Sequence, residues 1–168
     1  TSYLSYLFAV SSNSAMTLEI HDRIAHMGGS VLNVTTAQSP AINLDTLAPD
    51  AARVGAANYS DLQWWLEVYA DGGATASNAT INVTYDDDST GNLNVQAVGG
   101  TIRAGHMFAL TPLIPTAKQG LYIKAIDTVT LSASTGTAGN FGFTATRPRT
   151  MLPLYIANKG ESADWAQL

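Results

Sequence analysis

The sequence predicts a mainly β fold, an antiparallel sandwich of jelly-roll type with roughly seven or eight strands. Three observations carry this. Apolar residues recur with a period of two through most of the chain after Leu62. Turn-forming clusters, Asp71-Gly72-Gly73, Asp86 to Asn92 and Ser134 to Asn140, separate those runs at fairly regular intervals. No helical pattern of about 10–15 residues comes between them, as a parallel α/β sheet would require.

The chain begins with a near-apolar run, Tyr3 to Val10, that suits an edge strand or an arm laid on a neighbour. Met16, Ile20, Ile24 and Met27 then follow at spacings of four, four and three. With Ser14 as a cap and Gly28-Gly29 as a stop, they predict one short helix over 14–27. A strand from Met16 to His21 competes with it, because Met16, Leu18 and Ile20 also alternate. Residues 31–60 are punctuated by Pro40 and Pro49 yet hold Ile42, Leu44, Leu47 and Val54, which fits a segment draped over a surface better than a free tether. Residues 1–60 therefore read as an N-terminal arm and draping segment, not an independent domain, and 61–168 as the β-sandwich body.

In that body Leu62, Trp64, Leu66 and Val68 point one way, and Gln63, Trp65, Glu67 and Tyr69 the other. Ile81, Val83 and Tyr85 alternate next, and after a polar tip the pattern resumes as Leu93, Val95 and Ala97, a β-hairpin. Arg103 to Leu110 predicts a short strand. Pro112, Pro115 and Gly120 mark a connection into the longest alternation, where Leu121, Ile123, Ala125, Val129, Leu131 and Ala133 share a face. Phe141, Phe143 and Ala145 oppose Gly142, Thr144 and Thr146 in the next strand, and Met151 to Ala157 is the last, with Pro153 favouring an edge.

A chain of 168 residues can bury one real core. It has no cysteine, so disulfides and thiolate metal sites are excluded. Charged residues are 12% of the chain against about 25% in typical domains, and Thr, Ser, Asn, Ala and Gly take their place. Net charge is −5, and eight scattered Lys and Arg make no basic stripe, so nucleic acid is not an expected partner. The Tyr3 to Val10 run is far shorter than the ~18–20 residues that span a bilayer, so no membrane partner is expected either.

Chemistry-bearing clusters are few. His21, Asp22 and His26, with His106 as a distant fourth ligand, form the one His/carboxylate group, but their spacing matches no metal motif. Asp86-Asp87-Asp88, with Asp71 across the sheet, offers oxygen ligands without calcium-loop spacing and reads as an acidic hairpin tip. The glutamates Glu19, Glu67 and Glu161 form no persuasive acid/base pair, and no nucleophile elbow, phosphate loop or dinucleotide fingerprint occurs. No catalytic, cofactor or metal residue is assigned. Asn33, Asn58, Asn78 and Asn82 head glycosylation acceptor triplets, as an Asn/Thr-rich chain produces by chance.

Trp64-Trp65 is the most informative dipeptide, because adjacent strand positions face opposite sides and Trp64 joins the core face. Trp65 and Tyr69 then lie on the outer face. There they can pack under the 31–60 segment, anchor a subunit contact, or, with Tyr85, stack on a sugar. Together with Tyr3, Tyr6 and Phe8 of the N-terminal arm they make up the candidate interface.

Three stretches resemble a group of tailed-bacteriophage virion proteins, small products of head genes regarded as decoration or cement proteins. They are Val34-Thr-Thr-Ala-Gln, then Leu62 to Ala76 with Ala79-Thr-Ile-Asn-Val-Thr-Tyr, and Val129-Thr-Leu-Ser-Ala-Ser-Thr-Gly-Thr-Ala-Gly-Asn-Phe-Gly-Phe-Thr followed by Arg147-Pro148. A tail like Leu154-Tyr-Ile-Ala-Asn with Asp164-Trp165 recurs in that group, whose members look longer than a chain ending at Leu168. The resemblance implies a virion component, whether of capsid surface, neck or tail, and the leading expectation is a non-enzymatic decoration protein on the capsid surface. Its expected partners are the major capsid protein and copies of itself as a homotrimer, and the resemblance implies no cofactor. A receptor- or carbohydrate-binding sandwich of a tail or neck appendage is the alternative.

Overall fold

A computed structural model describes residues 6–13, 15–136 and 138–164. Strands account for 50% of the chain and helix for 9%, in antiparallel unclosed sheets. Eleven strands are present among the described residues, more than expected, because several are only two to five residues long. The chain divides into two compact units, a smaller one formed by Thr1–Asp22 with Pro148–Leu168 and a larger one spanning Arg23–Arg147. This differs from a division at 60/61. Most of the segment expected to drape belongs to the larger body, and the described residues before Arg23 group with those after Arg147.

The strands in order are β1 (Tyr6–Val10), β2 (Met16–Val31), β3 (Ile42–Asn43), β4 (Gln63–Val68), β5 (Ala76–Tyr85), β6 (Thr90–Asn92), β7 (Gln96–Gly99), β8 (Met107–Ala109), β9 (Ile123–Leu131), β10 (Asn140–Leu154) and β11 (Gly160–Asp164). One-turn helices α1 (Leu44–Leu47) and α2 (Ala51–Val54) follow β3, and two 3₁₀ turns fill the Pro112–Gly120 connection. The expected helix over 14–27 is absent: β2 occupies this stretch. Met16, Leu18, Ile20 and Ile24 are all an even number of residues apart, so the pattern satisfies a strand as well as a helix, and pairing with β10 decides between them. Ser14, its expected cap, lies outside the described residues.

In the larger unit the four-stranded sheet runs β2-β10-β4-β8. The second sheet runs β3-β9-β5-β6, with β7 continuing along β5 beyond β6. One core lies between them. Trp64, Leu66 and Val68 of β4 and Phe141, Phe143 and Ala145 of β10 share it with Ile81, Val83 and Tyr85 of β5 and with Ile123, Ile126, Val129 and Leu131 of β9. Trp64 also ties the layers together, its indole Nε1 donating to the Ile123 carbonyl at 2.8 Å. The 31–60 segment adds Leu32, Ile42, Leu44 and Val54 to this core, while Leu47 stands exposed. Asn43 and Asp50 cap the two short helices through their side-chain oxygens, each accepting a backbone N–H at 2.8 Å.

Two irregularities shift the expected faces. The β5–β9 register jumps between Asn82 and Val83 and again between Thr84 and Tyr85, so Asp127 and Lys124 are extra residues on β9. Ile126 therefore joins Ile123, Val129 and Leu131 inside, against an unbroken alternation. On the hairpin's return limb the strand breaks after Asn92. Leu93 and Val98 are buried while Val95 and Ala97 stand out, so the single face expected for Leu93, Val95 and Ala97 does not form.

The smaller unit pairs β1 with β11, Tyr6 opposite Asp164 through Val10 opposite Gly160. β10 runs without a break through Pro148 and Pro153, but its ladder with β4 covers Phe141–Thr146, ahead of both prolines. Tyr3 of the candidate interface, with Trp165 and Leu168, lies outside the described residues.

Tyr85 is fully buried, and its hydroxyl finds no hydrogen-bond partner among the described residues. An unsatisfied buried donor costs about 1–3 kcal/mol. Tyr85→Phe should therefore raise stability in urea unfolding, by about 1 kcal/mol, whereas Trp64→Ala should lose about 3–5 kcal/mol. A loss on Tyr85→Phe would show that the hydroxyl holds a partner.

Candidate functional site

The face of the β2–β10–β4 sheet turned away from the core carries a hydrogen-bonded network. Alternation along β4 puts Gln63, Trp65 and Glu67 there, and Thr144 and Thr146 of β10 stand opposite Trp65 and Gln63 in the ladder. The Thr144 hydroxyl donates to Glu67 Oε2 at 2.8 Å and lies 3.0 Å from His26 Nδ1. A hydroxyl has one proton, so Thr144 must accept from His26, which places the imidazole proton on Nδ1. Tyr69 Oη, 3.3 Å from the same nitrogen, shares that donor, and the two rings meet edge to face at 5.4 Å. Arg23 Nη2 reaches the other Glu67 oxygen at 3.5 Å. Burial, and then the Glu67 charge, raise the Tyr69 phenol above its ordinary range.

Trp65 is half-buried, and its indole N–H is bound to Thr146 Oγ1 at 2.8 Å. Its polar tip and that of Tyr69 are thus engaged inside the face, leaving parts of both rings toward solvent. Such a face offers flat aromatic contact. Thr144 has no exposed surface, so its hydroxyl is no nucleophile for an external substrate.

A second constellation centres on Lys124, a residue the sequence did not single out. The β9 bulge turns it off the alternating faces, leaving the side chain 10% exposed. Its ammonium pairs with Asp45 of α1 at 2.8 Å and with Asp88 at the β5–β6 turn. Asp45 also accepts from the Tyr59 hydroxyl at 2.9 Å. One cation thus ties the 31–60 segment, the hairpin tip and β9 together. Its hydrogen bonds to Asp45 and Asp88 hold the Lys124 ammonium well above the usual lysine range, and the bonds from Lys124 and Tyr59 hold the Asp45 carboxyl below its own.

The three aspartates of the hairpin tip are divided among separate tasks. Asp86 caps the Tyr122 N–H at 2.8 Å, Asp87 accepts the Ser89 N–H at 2.9 Å, and Asp88 takes Lys124. Asp71 is occupied elsewhere, by the Ala104 N–H and the Arg103 guanidinium. His21 bonds Glu19, Asp22 pairs with Arg149, and His106 stands edge to face with Phe108. Among the described residues no group of three or more His, Asp or Glu is placed to hold a metal ion.

Tyr6 and Phe8 are 54% and 58% exposed, on the same face of β1 as Val10. Sequence reading did not select the other exposed apolar residues of the smaller unit, Met16, Leu18, Met151, Tyr155 and Ile156. The run Met151-Leu-Pro-Leu-Tyr-Ile did signal an apolar segment. Which side would be left uncovered depends on the pairing of the chain ends.

A group raised in the fold stabilises below its unfolded pKa, and a group lowered in the fold stabilises above it. The Lys124 clamp should thus contribute fully between about pH 4 and pH 10.4. It should weaken as pH falls through the depressed Asp45 value or climbs through the raised Lys124 value. Lys124→Met should lower the urea midpoint most on the neutral plateau and flatten its acid and alkaline declines. An unchanged pH profile would count against the clamp. No family model matches this chain, and no curated protein or solved structure matches it either.

Proposed function

We propose that the chain is a non-enzymatic structural protein of a phage virion, a decoration or cement protein. In this reading it self-associates as a homotrimer, binds the major capsid protein shell and stabilises it. The observation that carries the reading is the placement of exposed apolar side chains. Of the eleven large apolar residues exposed among the described residues, eight fall in the small unit made from the two chain ends, and the larger unit is covered mainly by Thr, Asn, Ser and Ala. Concentrated apolar exposure marks a surface that meets protein. The phage-like motifs add support, since Leu62 to Ala76, Ala79 to Tyr85 and Val129 to Thr144 span β4, β5, the end of β9 and the start of β10, the scaffold of the larger unit.

The carbohydrate-binding alternative would use Trp65, Tyr69 and Tyr85. Tyr85 is fully buried, and the polar tips of Trp65 and Tyr69 are already bound within the protein, which leaves two ring faces to recognise a sugar. Protein contact is the better fit.

Two measurements test the reading. Reconstruction of particles carrying this chain should show it on the outer capsid surface, and shells stripped of it should lose heat resistance that added chain restores. Particles without its density, or shells indifferent to it, would sink the proposal. A glycan array should give no signal that Trp65→Ala abolishes.

A further inference from the structure

Among the described residues each sheet of the larger unit includes a strand that is paired along one edge only and lies beside a shared groove: β8 in the first sheet and β7 in the second. Antiparallel ladders alternate between residue pairs that exchange both main-chain bonds and pairs whose N–H and C=O groups turn away from each other. In the β4–β8 ladder the Leu110 N–H donates to the Trp64 carbonyl at 2.7 Å and the Val68 N–H to the His106 carbonyl at 2.9 Å, which fixes the bonding pairs. Met107 and Ala109, opposite Glu67 and Trp65, fall between them, so their main-chain groups point away from β4. On β7 the same count, taken from the Gly100 N–H to the Thr75 carbonyl at 3.3 Å, turns the groups of Ala97 outward. There the Gln96 side chain covers the edge, donating to the Ala97 carbonyl at 2.7 Å.

β8 has no such cover among the described residues. Exposed edges are ordinarily guarded by a charge, a proline or a bulge. Met107-Phe108-Ala109 has neither charge nor proline, and its ladder with β4 shows no register shift. Beside it lies an open groove of about 350 Å³, to which Val98, Ile102 and Phe108 give an apolar surface and Asn78, Thr101 and His106 a polar one. No Asp, Glu, Lys or Arg lines it. A carboxylate or ammonium brought into this groove would lose water and gain no counter-charge. The main chain of an extended segment would instead meet a donor and an acceptor on each of Met107 and Ala109. Phe108 stands opposite the buried Leu66, so a strand laid along β8 would turn alternate side chains to the side of the Phe108 ring.

We infer that the β8 edge is a strand-addition site, which takes an extended, uncharged segment of another protein as a further strand of the β2–β10–β4–β8 sheet. Recognition runs through the main chain of the guest, and its alternate side chains, small and β-branched, settle against Phe108, Val98 and Ile102. The inference goes beyond the virion reading and does not rest on it.

Hydrogen exchange of single amides in the full chain reads this directly. The probe is the acetylated and amidated peptide Thr-Val-Thr-Val-Thr. At about 1 mM it should slow exchange at the Met107 and Ala109 N–H groups about tenfold or more and leave Phe108, whose N–H already faces β4, unchanged. The same peptide methylated on every amide nitrogen should have no effect, and Thr-Lys-Thr-Lys-Thr should bind about tenfold more weakly or worse. Ala109→Pro removes an outward N–H without touching the β4 ladder, as an edge position allows. It should weaken the probe about tenfold while the urea midpoint holds; if that variant does not fold, the methylated peptide decides the matter on the wild-type chain. Equal binding of the methylated peptide, or no slowing by Thr-Val-Thr-Val-Thr, would overturn the inference. So would slow exchange at Met107 and Ala109 in the chain alone, which would show the edge already covered by the chain's own ends or by a second copy.

Discussion

The larger unit depends on the burial of one strand from both sides. Every residue of β10 from Phe141 to Thr146 is buried, although the two faces meet different surroundings. On one side Phe141, Phe143 and Ala145 are fully inside the apolar core. On the other, Gly142 lies so close to β2 that a Cβ would collide with the backbone of Met27 and Gly28, and Thr144 and Thr146 are drawn under the side chains of Glu67 and Trp65. A strand covered on both faces must satisfy its polar side chains locally, since water does not reach them. The His26–Thr144–Glu67 network is the consequence: it hydrates, in effect, a threonine that has no solvent.

The opposite sheet solves a different problem with the two bulges of β9. An unbroken strand would have kept Lys124 on one of the two alternating faces. The extra residue instead releases it sideways, toward carboxylates from two distant parts of the chain. Ionic contacts at a surface are ordinarily weak, but this ammonium is nearly enclosed and has two partners, so removing it would strand charge at a junction of three segments. A chain with only 12% charged residues spends one of its few lysines on holding its irregular segment in place.

This division explains what could be read in advance. The alternation of Leu62, Trp64, Leu66 and Val68 was legible because β4 is short, regular and apolar on one face, and Trp64 went inside as its neighbours required. Phe141, Phe143 and Ala145 were legible for the same reason. The stretch from Met16 was not, since Met16, Ile20 and Ile24 satisfy both periods and only β10, more than a hundred residues away, decides between them. The β9 bulges left no mark in composition, so Lys124 looked like one more polar residue between apolar ones. Of the candidate interface, Tyr6 and Phe8 stood out as aromatics in a neutral run, while Tyr155 and Met151 became their companions only when the two ends of the chain came together.

The pairing of β1 with β11 lies in the unit that holds most of the exposed large apolar residues among those described. Had the exposed apolar residues been scattered over both units, they would be ordinary surface, because much of any folded surface is apolar. Their concentration in a unit whose described residues bury two leucines is different in kind. Among the described residues the larger body buries nearly all of the core side chains, and the smaller unit buries Leu152 and Leu154.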